Sequence, residues 1–141
     1  MNDRIAAWGD ELIKLHDGFR RDLAALRESR MDAAGLRTHC LTFCDALHAH
    51  HEGEDGALFP HLATEHPELA DVLTRLRQEH QVVATLMNDI RRLLDHGHDH
   101  GHDQVRTELD RLATRLEAHL DYEEQQLVPV LNTMLTLPDD V

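Results

Sequence analysis

One pattern constrains this chain more than any other. His50-x-x-x-Glu54-x-x-x-Leu58-x-Pro60 recurs as His119-x-x-x-Glu123-x-x-x-Leu127-x-Pro129, the same residues at identical spacing. In an α-helix, residues four apart project from one face about one turn apart. Each copy therefore reads as an amphipathic helix offering an imidazole and a carboxylate to one point in space, with a leucine one turn further on.

The flanking sequence supplies the rest of the architecture. The apolar spacing predicts a first helix from about Asp3, a good N-cap, to about Ser29, with Ile5, Trp8, Leu12, Leu15, Phe19, Leu23 and Leu26 inward. A second begins near Asp32 and carries Leu36, Cys40, Phe43, Leu47 and Leu58, with Pro60 ending or kinking it. A third follows His66-Pro67 and shows Leu69, Leu73, Leu76, Val83, Met87, Ile90 and Leu94. A His/Gly/Asp loop over residues 96–103 leads to a fourth, from about Asp103 to Thr133, with Val105, Leu109, Leu112, Leu116, Leu127 and Val130. The last residues, TLPDDV, read as frayed. Four such helices with short connections make an all-α, up-down-up-down four-helix bundle, one domain over residues 1–141. Aromatic residues are only 4% of the chain, and no strand pattern competes.

Histidine is the compositional anomaly, thirteen in 141 residues. His16 and His80 each fall in mid-stripe on the first and third helices, so each half of the chain supplies a lone histidine and then a His-x-x-x-Glu. Taken singly, His16 and His80 read as core histidines, and Glu54 and Glu123 as surface acids. Their joint placement argues otherwise. Four imidazoles and two carboxylates converging in an apolar core would be costly unless cations removed the cost. Six donors spread over four helices suit two cations better than one. Two octahedral ions need about twelve bonds; four histidines, two bridging carboxylates and an oxo or hydroxo bridge leave roughly two positions open. Imidazole with carboxylate suits iron or manganese, with zinc a further possibility.

The expected ligands are thus His16, His50, Glu54, His80, His119 and Glu123. His51 and Asp55 also stand four apart, but their counterparts in the second copy are Leu120 and Glu124. Leucine cannot ligate, so His51 reads as lying beside the site or at the surface. Tyr122, the sole tyrosine, lies next to Glu123 and reads either as a rim residue or as lining the site to hydrogen-bond a ligand. His39 and His48 read as surface positions. Cys40 and Cys44 read as small core residues of a reducing compartment rather than a disulfide.

The net charge of −13 argues against nucleic-acid backbones and anionic membranes as partners. With no signal-peptide layout and no bilayer-length apolar run, a cytoplasmic protein is expected.

Nearly the whole chain resembles the hemerythrin family, through His16, HHEGEDGALFP over residues 50–60, Glu79-His80, and HLDYEEQQLVPVL over residues 119–131. The arrangement H…HxxxE…H…HxxxE is similar to the mycobacterial, actinobacterial branch. The resemblance implies a four-helix bundle with a non-heme di-iron centre. Oxygen-carrying members have His-x-x-x-His on the third helix, where this chain has Leu76 and Ala84 around His80, and an aspartate where it has Glu124. The resemblance therefore implies one histidine lost, a more symmetric and open centre, and redox turnover of hydrogen peroxide, dioxygen or nitric oxide, with catalase-like activity foremost. The competing expectations are an oxygen or nitric oxide carrier or sensor, and iron storage or delivery.

Overall fold

A computed structural model describes residues 8–28, 32–95 and 97–134, apart from the side chains of 33 and 97–102. The elements are α1 (Trp8–Arg27), α2 (Ala33–Gly53), a π-helical turn (Glu54–Leu58), α3 (Phe59–Glu65), a 3-10 turn (Pro67–Leu69), α4 (Ala70–Asp95) and α5 (Gly97–Leu131). Among the described residues there is no strand, and no helix is long and apolar enough to cross a membrane. The start expected at Asp3 and the TLPDDV tail lie outside the described residues.

Two features differ from the sequence expectation. Pro60 does not end the second rod. Its ring would crowd the carbonyl four residues back, and it has no N–H to donate. The wider π turn lies immediately before it, and the Phe59 N–H bonds to the Glu54 carbonyl five residues back. The rod then continues through α3 to Glu65. Secondly, the connector expected over residues 96–103 is helical backbone from Gly97 onward. His96 and the side chains of the other histidines there lie outside the described residues.

Local signals account for other boundaries. Asp32 caps α2 by accepting a 2.8 Å hydrogen bond from the Gly35 N–H. The chain breaks at His66 (φ −137°, ψ 73°), the residue before Pro67, where helical geometry is disfavoured.

Neighbouring rods run antiparallel. Phe19 meets Phe43 and His16 meets His50 across α1 and α2. Arg91 pairs with Asp45 and His80 with Asp55 across α4 and the second rod. Gly9, Arg20 and Arg27 meet Asn132, Asp121 and Asp110 respectively, from opposite ends of α1 and α5. This is the up-down-up-down bundle.

The core is in two parts. One apolar cluster, including Phe19, Leu23, Cys40, Leu47, Met87 and Leu112, fills the end nearest the α1–α2 connection. A second, including Leu58, Phe59, Leu62, Leu76, Leu127 and Leu131, fills the other. Each fully buried leucine contributes about 1.5–3 kcal/mol. Leu15 departs from its expected inward place and is 46% exposed. Between the clusters the bundle buries a layer of histidine and glutamate.

Candidate metal centre

The polar layer holds His16, His51, Glu54, His80, His119 and Glu123, all buried. His50 is nearly so, its side chain 12% exposed. Their donor atoms gather into two groups. His51, Glu54, His80 and His119 offer atoms within 4.8 Å of one another, and so do His16, His50, Glu54 and Glu123.

The carboxylates link the groups. Glu54 turns Oε1 toward His80 Nε2 at 3.2 Å and Oε2 toward His50 Nε2 at 3.4 Å. Glu123 turns Oε1 toward His119 Nε2 at 3.3 Å and Oε2 toward His16 Nε2 at 3.5 Å. Each carboxylate thus faces one group with each oxygen. Neighbouring donors on one octahedral cation, each about 2.1 Å from it, stand roughly 3 Å apart.

The nine atoms concerned are the Nε2 of all five histidines and the four oxygens of Glu54 and Glu123. All are buried, and none has a hydrogen-bond partner among the described residues. Orphaned polar atoms in a protein interior are expensive, and a convergent set of nine calls for compensation. Cations fit this donor set, which is hard to borderline and contains no thiolate.

The opposite ring nitrogens are held. His16 Nδ1 lies 2.7 Å from Glu124 Oε2, His80 Nδ1 2.8 Å from Asp55 Oδ1, and His119 Nδ1 2.7 Å from Glu79 Oε1. An Nδ1–H donated to a carboxylate fixes the tautomer that leaves Nε2 free, and makes it a stronger donor. Arg20 in turn holds Glu124 at 2.9 Å, and Arg75 holds Glu79 at 3.0 Å.

Electrostatics agree with an assembly short of positive charge. Burial lowers the His50 pKa to about 4. Burial, with His80, His119 and His50 beside it, pushes His51 down as well. His80 is lowered by burial and by His119. Burial would lower His119 too, but Glu123 and Glu79 raise it above the ordinary imidazole value. Glu54 is raised well above the carboxylate range by burial and by the charge of Glu123. Burial would also raise Glu123, but Glu54, His119 and His16 beside it hold it well below the carboxylate range. Neutral imidazoles are the form that binds metals.

The six residues expected from the sequence are all brought together. The surface alternative for His51 is overturned: it is 4% exposed and stacked on His80. The counterpart position does hold an apolar side chain, Leu120, but Leu120 packs into the core cluster, so the two halves differ there. With His51 counted, three histidines stand at one group and two at the other, where the sequence led to an expectation of two and two. The signal available was the spacing of three from His51 to Glu54, which also shares a helix face. Tyr122 is half-buried at the edge of the second core cluster, with the Arg75 guanidinium 3.8 Å above its ring. His39 and His48 are exposed, as expected.

A cavity of about 180 Å³ opens beside the two-histidine group, lined by Trp8, Glu11, Leu12, Leu15, His50, Glu54, Leu58 and Leu131. The family model of the hemerythrin HHE cation binding domain matches residues 9–131. No curated protein and no solved structure matches the chain.

Proposed function

The chain belongs to the hemerythrin HHE cation-binding family, and from that premise we propose that it holds two iron ions and reacts through them with a small oxidant, hydrogen peroxide first. The ligands are His51, His80 and His119 at one ion, His16 and His50 at the other, with Glu54 and Glu123 shared. The observation that carries this reading is the set of nine buried, unpartnered donor atoms, with Glu54 common to both groups and Glu123 in one of them while its second oxygen faces His119 of the other. Five imidazoles and two carboxylates without thiolate suit iron; manganese and zinc are the competitors that metal analysis separates. Residues 1–141 form one such domain, and the free, buried Cys40 and Cys44 accord with a cytoplasmic setting.

A bound iron pair with an oxo or hydroxo bridge would supply reversible one-electron changes at each ion. The residues of the chain decide how that capacity is used. Five nitrogens, four carboxylate oxygens and the bridge leave about one of twelve positions open, on the two-histidine side. Asp55, Glu79 and Glu124 draw the Nδ1 protons of three ligands, which puts electron density on the imidazoles and favours the oxidised ions. That bias supports turnover of peroxide over release of intact dioxygen.

A second reading rests on the single open position. A centre saturated at one ion and open at the other suits reversible carriage of dioxygen or nitric oxide. Anaerobic metal analysis, followed by peroxide and oxygen titration watched by absorbance, separates the two. Two irons per chain with oxygen evolution from peroxide are expected. A stable, reversible oxygen adduct without peroxide turnover would favour the carrier.

A further inference from the structure

His119 and Tyr122 stand three apart on α5 and share a face, and Arg75 and Glu79 stand four apart on α4 and do the same. The two helices run antiparallel, so the pairs meet in order, Glu79 against His119 and Arg75 against Tyr122. Glu79 Oε1 lies 2.7 Å from His119 Nδ1, and Glu79 Oε2 accepts from Arg75 Nε at 3.0 Å. The Arg75 guanidinium lies 3.8 Å above the centre of the Tyr122 ring. Arg75, Glu79 and His119 therefore run in series from solvent into the polar layer, their side chains 58%, 26% and 1% exposed.

The outer end of this series needs an anchor. An arginine and a glutamate four apart on a helix surface attract weakly, because water screens the charges and two long side chains lose rotamer freedom. That ion pair alone holds Glu79 loosely. Arg20 has the corresponding place behind His16, and it is fixed by Asp17 and Asp121 as well as by Glu124. Arg75 has only Glu79 among the described ion pairs. Its other hold is the Tyr122 ring.

The ring is suited to that task. Tyr122 packs against the second apolar cluster, so its plane is fixed by the core. A planar guanidinium stacked on it keeps its N–H groups in the stacking plane, free to point at a carboxylate. The Arg75 Nε–H does so toward Glu79.

We infer that Tyr122 and Arg75 are positioning residues for His119: the tyrosine ring holds the guanidinium, the guanidinium holds Glu79, and Glu79 accepts the hydrogen bond from the His119 Nδ1–H. The working part of Tyr122 is its ring, not its hydroxyl. The consequence for metal binding rests on the reading of His119 as a ligand. As a bare charge, Arg75 would repel a bound cation and weaken its binding. As a positioning residue it strengthens that binding, by keeping His119 Nε2 free and aimed. The two accounts differ in sign.

The first test needs no metal. In the chain with nitrogen-15-labelled histidine, exchange of the His119 Nδ1–H proton with water is followed by magnetic resonance. Tyr122→Leu should speed that exchange roughly two- to fivefold, the worth of one exposed cation–π contact. Arg75→Ala should speed it at least as much, and Tyr122→Leu should add nothing further in that background. Arg75→Lys, which keeps the charge and loses the flat fork, should resemble Arg75→Ala. Tyr122→Phe should behave as the parent. Arg92→Ala removes an exposed charge elsewhere on α4 and should change nothing. Cobalt(II) binding then tests the link to the centre, and Tyr122→Leu and Arg75→Ala should each weaken it by a similar factor. Unchanged exchange in Arg75→Ala and Tyr122→Leu would overturn the proposal, as would equal damage from Tyr122→Phe or tighter cobalt binding in Arg75→Ala. A parent chain that binds no cobalt, with exchange responding as expected, would defeat the metal reading and leave the positioning of His119 standing.

Discussion

The rings of His51 and His80 stack, their centroids 3.8 Å apart and their planes 13° from parallel. Both are buried, and both Nε2 atoms belong among the unpartnered donors of the layer. Two stacked imidazoles with lowered pKa values cannot both be cationic, so the pair is built to be neutral and to donate lone pairs. His51→Ala should therefore lower the metal content from about two per chain toward one, with the loss on the three-histidine side. Metal analysis of the purified variant reads this directly. Full retention of both metals would return His51 to a packing role.

The carboxylates make a different prediction. Because Glu54 and Glu123 each divide their oxygens between the groups, neither serves one end alone. Glu54→Ala and Glu123→Ala should each cost both metals. Removing His16 should mainly empty one end. Comparing metal stoichiometry across the three variants tests the sharing; one metal surviving in both glutamate variants would show that the oxygens act separately.

The same geometry explains what was legible in the sequence. His50, Glu54, His119 and Glu123 announce themselves because spacings of four and a repeated Leu-x-Pro survive in the linear text. His16 and His80 interrupt apolar stripes, so their inward aim follows from periodicity. His51 was obscured by the repeat itself, since Leu120 at the matching place suggested that the position does not ligate. Asp55 and Glu124 occupy matching places; Asp55 holds His80 of the following rod and Glu124 holds His16 of the first rod, a relationship that only the packing reveals. The π turn was invisible because a proline signals trouble in a helix, not how the backbone resolves it. Leu15 fits the stripe by spacing yet lies at the mouth of the cavity, where the bundle does not close over it.

Gly9→Ala tests the seating of α1. The added methyl group would meet Val128 backbone oxygen at 2.7 Å, and backbone cannot swing aside as a flexible side chain can. A loss of about 1–3 kcal/mol is expected, well beyond a surface substitution. Gly56, whose Cβ would meet nothing within 4 Å, is the control. Thermal or urea unfolding of Gly9→Ala and Gly56→Ala should separate clearly, with only the first destabilised by a clash.

Cys40 and Cys44 supply a pH prediction away from the centre. Burial raises their pKa values from 9.0 to about 12 and about 11. A raised folded pKa means that the unfolded chain releases the proton first. The stabilisation is therefore complete below pH 9.0 and is lost as pH rises toward 11–12. At pH 8 the native thiols should resist iodoacetamide, while the denatured chain reacts at both. Rapid alkylation of the folded protein at that pH would mean that the packing around α2 opens readily.

The last prediction concerns the three carboxylates behind the ligands. Asp55, Glu79 and Glu124 each sit 2.7–2.8 Å from an Nδ1. Arg75 and Arg20 partly neutralise Glu79 and Glu124, whereas the only partner of Asp55 among the described ion pairs is His80. Asp55 is therefore the strongest electron-releasing influence of the three. An amide at position 55 would keep a hydrogen bond to His80 but remove the negative charge. Asp55→Asn should raise the reduction potential of the iron-loaded centre, slow its oxidation in air and reduce oxygen evolution from peroxide. Glu79→Gln and Glu124→Gln should act in the same direction but less strongly, and metal affinity should fall roughly ten- to a hundredfold where the buttress is lost. Potentiometry of the loaded proteins distinguishes charge from mere disruption. A raised potential with metal content retained marks an electronic effect, whereas an unchanged potential in Asp55→Asn would leave Asp55 with no part in setting the balance between the two oxidation states.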